Sequence, residues 1–248
     1  MNRLHFNSLP STYTYIAENA AGMVTGAVVT ADYQTAGRGQ RGNTWESDAG
    51  ENLLFSMLAR LPQFEARRQF YISEAVSMAI VDTLEGECGV KCKVKWPNDI
   101  YAGDKKICGI LISHAVEAGS QQGVALITHS VLGAGINLNQ REFRSDAPNP
   151  VSVWQLTGRQ TDREAFLQAL VENINTRLEQ LDSRDFRSLH DEYMSHLWRA
   201  DGCEHPFYDV GTGERFMATV YAVEPMGHLI LSTSDGLRRY AFKEVSWL

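Results

Sequence analysis

The sequence contains no hydrophobic run that is long enough to cross a membrane. Although 44% of its 248 residues are hydrophobic, no run approaches the roughly 18 apolar residues of a membrane-spanning helix. Its first ten residues, MNRLHFNSLP, do not resemble a secretory signal peptide. We therefore expect a cytoplasmic globular protein with no membrane partner, built as one large domain or as a domain of about 200 residues plus a small one.

Cysteine is scarce, with four residues at positions 88, 92, 108 and 203. In the absence of a secretory signal, this number is typical of a protein of the reducing cytosol. Cys88 and Cys92 have the spacing of a possible metal-binding pair. However, Val90, Cys92 and Val94 alternate along VKCKVKW, which favours an inward-facing strand residue over a metal ligand at Cys92.

Positive charge is also in short supply. The chain has 23 Lys and Arg against 30 Asp and Glu, a formal net charge of −7. Broad nucleic-acid binding usually depends on a basic face, so the composition argues against a nucleic-acid partner. Any bound anion must therefore be held by a local group of cations.

The stretch GRGQRGNTW, Gly37–Trp45, has the G-x-G-x-x-G spacing of a dinucleotide-binding turn. A strand precedes it at AVVTA, but no helical pattern follows, and no acidic residue stands where a ribose would need one. The next apolar run, LLFSML, instead predicts a second strand, and the GK[ST] ending of a P-loop is missing. The sequence thus predicts a glycine-rich loop between two strands, whose Arg38 and Arg41 suit an anionic ligand.

The remaining pattern predicts helices packed on a sheet. Helices are expected at residues 11–22, 65–87, 162–182 and 185–198, and strands at 90–96, 106–117 and 123–138, the last two joined by a hairpin at Ala118–Gln122. After Trp198 the sequence changes to short β-like pieces separated by Gly and Asp. The expected fold class is α+β: a mixed β-sheet domain with covering helices over residues 1–198, and a small β-barrel-like domain over residues 199–248.

Three further segments combine polar side chains with turns or small residues. In KVKWPNDIYAGDKKICGIL a strand stops at Pro97, a turn follows, and a strand starts again near Lys106; the simplest alternative is a polar hairpin turn. GAGINLN has small residues beside Asn137, or is merely a close-packed strand end. Ser11 and Thr12 cap a helix unless their hydroxyl groups also reach a ligand.

GRGQRGNTW, KWPND, KKICGIL and GAGIN, in this order, resemble the biotin protein ligases. The resemblance spans at least residues 11–139, and the β-like region after Trp198 is similar to the family's small C-terminal β-barrel. It implies that biotin and ATP, the latter as its Mg²⁺ complex, give biotinyl-AMP and pyrophosphate. A lysine of a biotin carboxyl carrier domain of a biotin-dependent carboxylase then takes the biotin. No tightly bound prosthetic group is implied, and we expect a monomer or weak homodimer.

The resemblance also implies roles for individual residues. Biotin-contacting positions are Ser11, Thr12, Gln34, Gly37, Arg38, Arg41, Lys106 and Gly109. Nucleotide-contacting positions are Arg41, Trp45, Asn98, Lys106 and Asn137. Residues expected close to the reacting centre are Lys106, Arg38, Lys95 and Asp99. Asp99 is a candidate either for holding magnesium or for orienting the acceptor lysine, and both roles stay open. Cations suit this reaction because a carboxylate must approach the like-charged α-phosphate.

The chain departs from the family pattern at two loop positions. Gln40 and Asn43 stand where some members have arginine, so retention of the adenylate is expected to depend on Arg38, Arg41 and Lys106. Because the chain starts close to its first predicted helix, we expect a form without the N-terminal DNA-binding domain of some relatives. The loop Gly37–Asn43 is expected to be mobile before ligand binds.

Two other functions fit parts of the sequence. The first is a lipoate or octanoate ligase or transferase, which resembles this fold and also acylates a carrier lysine. The motifs GRGQRGNTW and KWPND favour the biotin branch over this alternative. The second is a binding module without enzymatic activity, in which the charged loops are only turns.

Overall fold

The computed structural model describes residues 2–40, 44–118, 123–145 and 148–248. Within them the α-helices are α1 (Thr12–Asn19), α2 (Phe70–Cys88), α3 (Val153–Thr157), α4 (Arg163–Asp182) and α5 (Phe186–Ser195). The strands of the first sheet are β1 (Arg3–Leu9), β2 (Val28–Gln34), β3 (Leu53–Ala59), β4 (Phe64–Glu65), β5 (Lys93–Lys95), β6 (Asp99–Ala102), β7 (Lys105–Ala118) and β8 (Ala125–Ile136). Those of the second are β9 (His205–Asp209), β10 (Arg215–Val223), β11 (Leu229–Thr233), β12 (Gly236–Tyr240) and β13 (Val245–Trp247).

The first sheet is mixed, as the sequence predicts. Its order is β1-β2-β3-β8-β7-β6-β5, with β4 paired to β8. Strands β1 and β2 are parallel, and the other pairs are antiparallel. The predicted hairpin is confirmed by the pairing of Ala118 with Ala125, although residues 119–122 lie outside the described part of the chain.

Helix α2 lies at the centre of the core because its predicted apolar face is buried. Ile72, Val76, Ile80 and Leu84 are each no more than 1% exposed. The helix ends at Gly89, which adopts the left-handed conformation (φ +67°) that glycine tolerates without strain. α4 and α5 cover α2, and the buried side chains of all three helices belong to one cluster. Among the described residues, no helix combines the length and apolar character that a membrane span requires.

The second sheet is antiparallel, with the order β12-β11-β10-β9-β13. The α+β fold class is confirmed, and the second sheet, whose residues 205–247 are all described, is open rather than a closed barrel. This sheet is anchored to the first around Trp96, whose Nε1 donates to the Gly227 carbonyl at 2.9 Å. Trp247 Nε1 donates in turn to the Trp96 carbonyl at 3.3 Å. The domain boundary at Trp198 stays a prediction, since buried residues of both sheets share one cluster.

Four strands were not predicted from the sequence: β1, β4, β6 and β9. β4 contains Glu65, the first residue of the predicted helix 65–87, so that helix starts later than expected, at Phe70. β1 precedes α1, so the described chain does not start directly at the first helix. β6 lies between the KWPND turn and Lys106, where a single turn was expected, and a second turn follows at Gly103, whose φ is +60°. β9 contains Pro206, a residue that usually argues against a strand.

Candidate active site

A cleft of about 1160 Å³ opens beside β3, β7 and β8 of the first sheet. It brings together predicted site residues that are far apart in sequence: Ser11, Thr12, Gln34, Arg38, Trp45, Lys95, Asn98, Asp99, Lys106, Gly109 and Asn137. Gly37 lies next to this set, since its carbonyl accepts from the Trp45 amide at 3.1 Å. Arg41 and Asn43 lie outside the described residues, so the structure adds nothing on them or on the expected mobility of their loop.

One end of the cleft is a buried polar cluster. The Thr12 amide and hydroxyl both donate to Gln34 Oε1, at 2.7 and 3.1 Å. The Thr12 hydroxyl also lies 2.9 Å from Ser56 Oγ. Ser11, Thr12 and Ser56 are no more than 3% exposed, and Ser11 caps α1 by accepting from the Thr14 amide at 3.4 Å. A ligand reaching this end meets hydroxyl and amide groups in a site removed from solvent.

The described ends of the glycine-rich loop pair with each other. Arg38 and Thr44 form an antiparallel bridge, and the chain continues from Trp45 to β3 without an intervening helix. This confirms that the G-x-G-x-x-G spacing does not open a dinucleotide-binding helix.

Trp45 lies flat against two glycines of the sheet. A Cβ atom at Gly135 would stand 2.4 Å from Trp45 Cε2, and one at Gly109 would stand 2.8 Å from Trp45 Cζ3. Any side chain at Gly135 would therefore displace the ring. Trp45 Nε1 is buried and has no hydrogen-bond partner among the described residues, so a donor is available in the cleft.

A charged group lies at the centre of the cleft. Lys106 Nζ is 2.7 Å from Asp99 Oδ1 and 5.6 Å from the centroid of the Trp45 ring. Asp99 of β6 pairs with Lys95 of β5 on one side and with Gly109 of β7 on the other. The three strands therefore meet at this point. The turn before β6 therefore positions Asp99 between two lysine-bearing strands.

Lys95 is held by aromatic side chains. Its Nζ donates to the Tyr101 hydroxyl at 3.0 Å and lies 4.6 Å and 5.0 Å from the ring centroids of Tyr101 and Trp198. Burial is the main cause that lowers the pKa of Lys95, and the Asp99 carboxylate opposes it. Burial also raises the pKa of Tyr101 to about 12. The Lys95 ammonium is thus fixed in place and partly removed from water.

The two asparagines of the predicted nucleotide site differ in what they bind. Asn98 Nδ2 donates to the Ile110 carbonyl at 2.8 Å and so holds the KWPND turn against β7. Asn137 Nδ2 donates to the Val151 carbonyl at 3.1 Å. Asn137 Oδ1 is buried without a partner among the described residues, which leaves a hydrogen-bond acceptor available to a ligand.

Sequence reasoning missed several groups that line the cleft. Ser56 is the one polar side chain in LLFSML, and a serine inside an apolar strand is a signal that could have found it. Tyr101 lies on the unpredicted β6. The second sheet contributes a whole wall, made of Val210, Lys243, Val245, Ser246 and Trp247. No local pattern in the sequence indicates that this wall faces the cleft.

The chain is similar to known proteins over most of its length. The profile of the Biotin/lipoate A/B protein ligase family matches residues 5–137. The biotin--[acetyl-CoA-carboxylase] ligase of Paracoccus denitrificans is 32% identical over 195 residues, which are 76% of this chain and 78% of that protein. The bifunctional ligase/repressor BirA of Escherichia coli is 32% identical over 172 residues, covering 69% of this chain but only 51% of BirA.

The fold is shared with a solved structure. The biotin protein ligase from Aquifex aeolicus in complex with biotin and ATP superimposes with a TM-score of 0.80. That alignment covers 99% of this chain and 97% of the other, at 24% identity. The matched profile covers more than half of the chain, and the Paracoccus enzyme matches over more than three quarters of its own length. The chain therefore belongs to the Biotin/lipoate A/B protein ligase family.

Proposed function

We propose that the protein is an ATP-dependent biotin protein ligase, which makes biotinyl-AMP and transfers the biotin to a lysine of a carrier protein. The observation that carries this proposal is that four separated motifs meet in one cleft. A polar cluster lies at one end, and Lys106, Asp99 and Lys95 form a charged group farther along. The identity to a biotin--[acetyl-CoA-carboxylase] ligase supports the same conclusion.

The polar cluster favours biotin over lipoate. The ureido ring of biotin has two N–H donors and one carbonyl acceptor, which suit Thr12, Gln34 and Ser56. The dithiolane ring of lipoate has no such groups, so it can form none of these hydrogen bonds with the cluster. Sites built to hydrogen-bond a substrate discriminate strongly against analogues that cannot do so.

The charged group suits the first reaction step. An oxygen of the biotin carboxylate forms a bond to the α-phosphorus of ATP, and the bond from that phosphorus to the β-phosphate bridging oxygen breaks as pyrophosphate leaves. Both reactants are anionic, so fixed cations must stabilise the charge that gathers between them. In our proposal the positively charged side chains of Lys106, Arg38 and Arg41 together stabilise the biotin carboxylate and the α-phosphate.

The nucleotide is expected to lie toward Trp45 and Asn137. The free Asn137 Oδ1 can accept a hydrogen bond from the exocyclic amino group of adenine. Trp45 supplies an aromatic surface, and Asn98 supports the site by holding the turn. Magnesium enters with ATP as a substrate complex. Asp99 is the carboxylate beside the reacting centre, and Mg²⁺ bound to nucleotides commonly uses only one or two protein carboxylates.

In the second step the neutral amine of a carrier lysine attacks the acyl carbon of biotinyl-AMP. An amide bond forms, the acyl–phosphate bond breaks, AMP leaves with the electron pair, and the attacking nitrogen releases one proton. Asp99 also lies where it could orient the incoming lysine, so its two proposed roles belong to successive steps. We further propose a cytoplasmic enzyme acting on a biotin carboxyl carrier domain, as a monomer or weak homodimer, with residues 1–198 as its catalytic domain.

The experiment that tests this proposal combines the protein with biotin, Mg-ATP and a purified biotin carboxyl carrier domain. We expect the intact mass of the carrier to rise by one biotinyl group only when all components are present. A carrier whose acceptor lysine is replaced by arginine serves as the control. Modification of a lipoyl domain with lipoate, but no modification of the biotin carrier, would show the lipoate alternative to be correct. If neither carrier is modified, the result would favour the alternative of a binding module without enzymatic activity.

A further inference from the structure

Lys243 adopts a backbone conformation that lysine avoids. Its φ is +70°, in the left-handed region that glycine tolerates and other residues enter at a cost. Such conformations persist where the surrounding structure enforces them, and they concentrate at ligand-binding sites. Lys243 lines the cleft, so its strain occurs at the site rather than in a remote surface turn.

The turn that carries Lys243 is held rigidly from within. The Glu244 side chain accepts from the Ala241 amide at 2.7 Å, and the Glu244 amide donates to the Ala241 carbonyl at 3.1 Å. The Val210 amide donates to the Glu244 carbonyl at 2.9 Å, which ties the turn to the end of β9. The position of Lys243 on the cleft wall is therefore fixed by backbone contacts.

The same turn is attached to the motif that carries the charged group. Phe242 packs on Trp96 with ring centroids 5.3 Å apart, and Trp247, four residues after Lys243, donates to the Trp96 carbonyl. Trp96 is the neighbour of Lys95 in KWPND. The second sheet thus presents Lys243 from the wall that adjoins the proposed reacting centre.

Lys243 also differs from the other lysines of the cleft in its partners. Lys106 is paired with Asp99, and Lys95 lies over two aromatic rings. Within the described ranges 2–40, 44–118, 123–145 and 148–248, no carboxylate forms an ion pair with Lys243. The nearest acid in sequence, Glu244, is occupied by the Ala241 amide. Lys243 is a cation in the cleft whose charge is available to a ligand.

We propose that Lys243 binds the terminal phosphates of ATP, and so holds the pyrophosphate leaving group from the second sheet. This inference rests on the proposed function and adds a residue to it. Lys106 and Arg38 are assigned to the α-phosphate, whereas most of the charge of ATP lies on the β- and γ-phosphates. A cation inside the cleft, carried by a turn that is held in place, suits that part of the nucleotide better than it suits the acidic surface of a carrier protein outside the cleft.

The test replaces Lys243 with glycine, which removes the cation and accepts the positive φ without strain. Loss of one charge-assisted contact at an exposed site should raise the KM for ATP about 5- to 10-fold. The KM for biotin and the KM for the carrier should not change, and the thermal unfolding midpoint should not fall. Lys243→Arg keeps the charge and should stay within about threefold of wild type.

Arg184 offers a matched control. It also has a positive φ, +62°, is exposed, and does not line the cleft. Arg184→Gly should leave every KM unchanged. An unchanged KM for ATP in Lys243→Gly, or an increase confined to the KM for the carrier, would overturn the proposal. Calorimetric titration of ATP alone into each variant separates this inference from the proposed function, because it needs no biotin activation.

Discussion

At the scale of single residues, the cleft is organised by the ion pair between Lys106 and Asp99. Lys106 is the second residue of β7 and its side chain lies in the cleft, while Lys105, the first residue of the strand, is exposed and lies outside the cleft. Strand alternation gives two adjacent lysines opposite directions. The structure shows this arrangement, since of the two only Lys106 lines the cleft.

Lys106→Ala should slow formation of biotinyl-AMP. Removing one preorganised charged donor from a site where charge gathers at the α-phosphate typically costs about 3 to 4 kcal/mol, or roughly 100- to 1000-fold in rate. Lys105→Ala should slow the reaction by no more than a few-fold. Single-turnover measurement of the adenylate in both folded variants checks this, and a slower Lys105 variant would contradict the assignment.

Gly135→Ala should be destabilising because a Cβ there would stand 2.4 Å from Trp45 Cε2. Overpacking of this kind costs about 1 to 3 kcal/mol in the free energy of unfolding. Gly86→Ala on α2 is the matched control. A Cβ at Gly86 would meet nothing within 4 Å beyond its own helix, so this change should stabilise by about 0.5 to 1 kcal/mol. Denaturant unfolding measures both.

The contact with Trp45 can be isolated by a double-mutant cycle. If the ring causes the destabilisation, Gly135→Ala should cost much less in a Trp45→Ala background. An equal cost in the two backgrounds would show that the strain comes from another part of the sheet.

At the scale of elements, α2 and α5 meet through a buried acid and a histidine. His190 Nδ1 lies 2.9 Å from Glu74 Oε1, and Glu74 has no exposed surface. The hydrogen bond with Glu74 raises the pKa of His190 above its ordinary 6.5. Burial raises the pKa of Glu74, and its hydrogen bond with His190 opposes that shift. Folding therefore favours the protonated form of each group.

The interaction between Glu74 and His190 predicts that the free energy of unfolding falls as the pH rises. The contribution of His190 is complete below its unfolded pKa and is lost as the pH rises through its higher folded pKa. The raised pKa of Glu74 acts in the same direction, above its ordinary 4.5. Urea unfolding near about pH 6 and about pH 8.5 should show a larger loss for wild type than for the double variant Glu74→Gln/His190→Gln, in which neither position titrates. Parallel pH dependences would contradict the assignment.

Elements with a long, regular pattern were predictable from the sequence. The apolar face of α2 repeats at helical spacing from Ile72 to Leu84, and β7 and β8 are long strands that pair with each other as far as Ala118 and Ala125. Because these elements are buried in the core, their apolar residues recur at regular spacing, and that spacing can be recognised in the sequence. The polar cluster around Thr12 and the charge at Lys106 were also predictable, but through motifs rather than periodicity.

Short or exposed strands were not predictable. Most side chains of β1 are exposed or half-buried at the sheet edge, so no alternation marks it. β6 has four residues between two turns, and its polar flanks resemble one loop. Lys243 could not be placed at the cleft because the contact between the second sheet and Trp96 joins residues about 150 positions apart.

At the scale of the whole molecule, both sheets contribute walls to the cleft, and the overall charge is acidic. The net charge of −7 is opposite to that of a surface suited to nucleic acid. Lys106 lies close to an acid and Lys95 lies over aromatic rings, and the described cations of the cleft do not form a broad basic face. The molecule is thus suited to binding small anions locally.

We expect that biotinyl-AMP does not induce this chain to bind DNA sequence-specifically. Contacts with phosphates alone weaken steeply as salt increases, so any complex seen at low salt should disappear. Electrophoretic mobility shifts with the protein's own promoter region, at low and at physiological salt, check this. A complex that needs biotinyl-AMP and survives physiological salt would contradict the prediction.

The central claim is that the cleft activates biotin with ATP, and ATP–pyrophosphate exchange tests it most directly. Labelled pyrophosphate enters ATP only if the enzyme forms an acyl-adenylate reversibly, so no carrier protein is needed. The assay is run with biotin and with lipoate in parallel. We expect exchange that depends on biotin and is near background with lipoate. Exchange with lipoate and none with biotin would contradict this expectation.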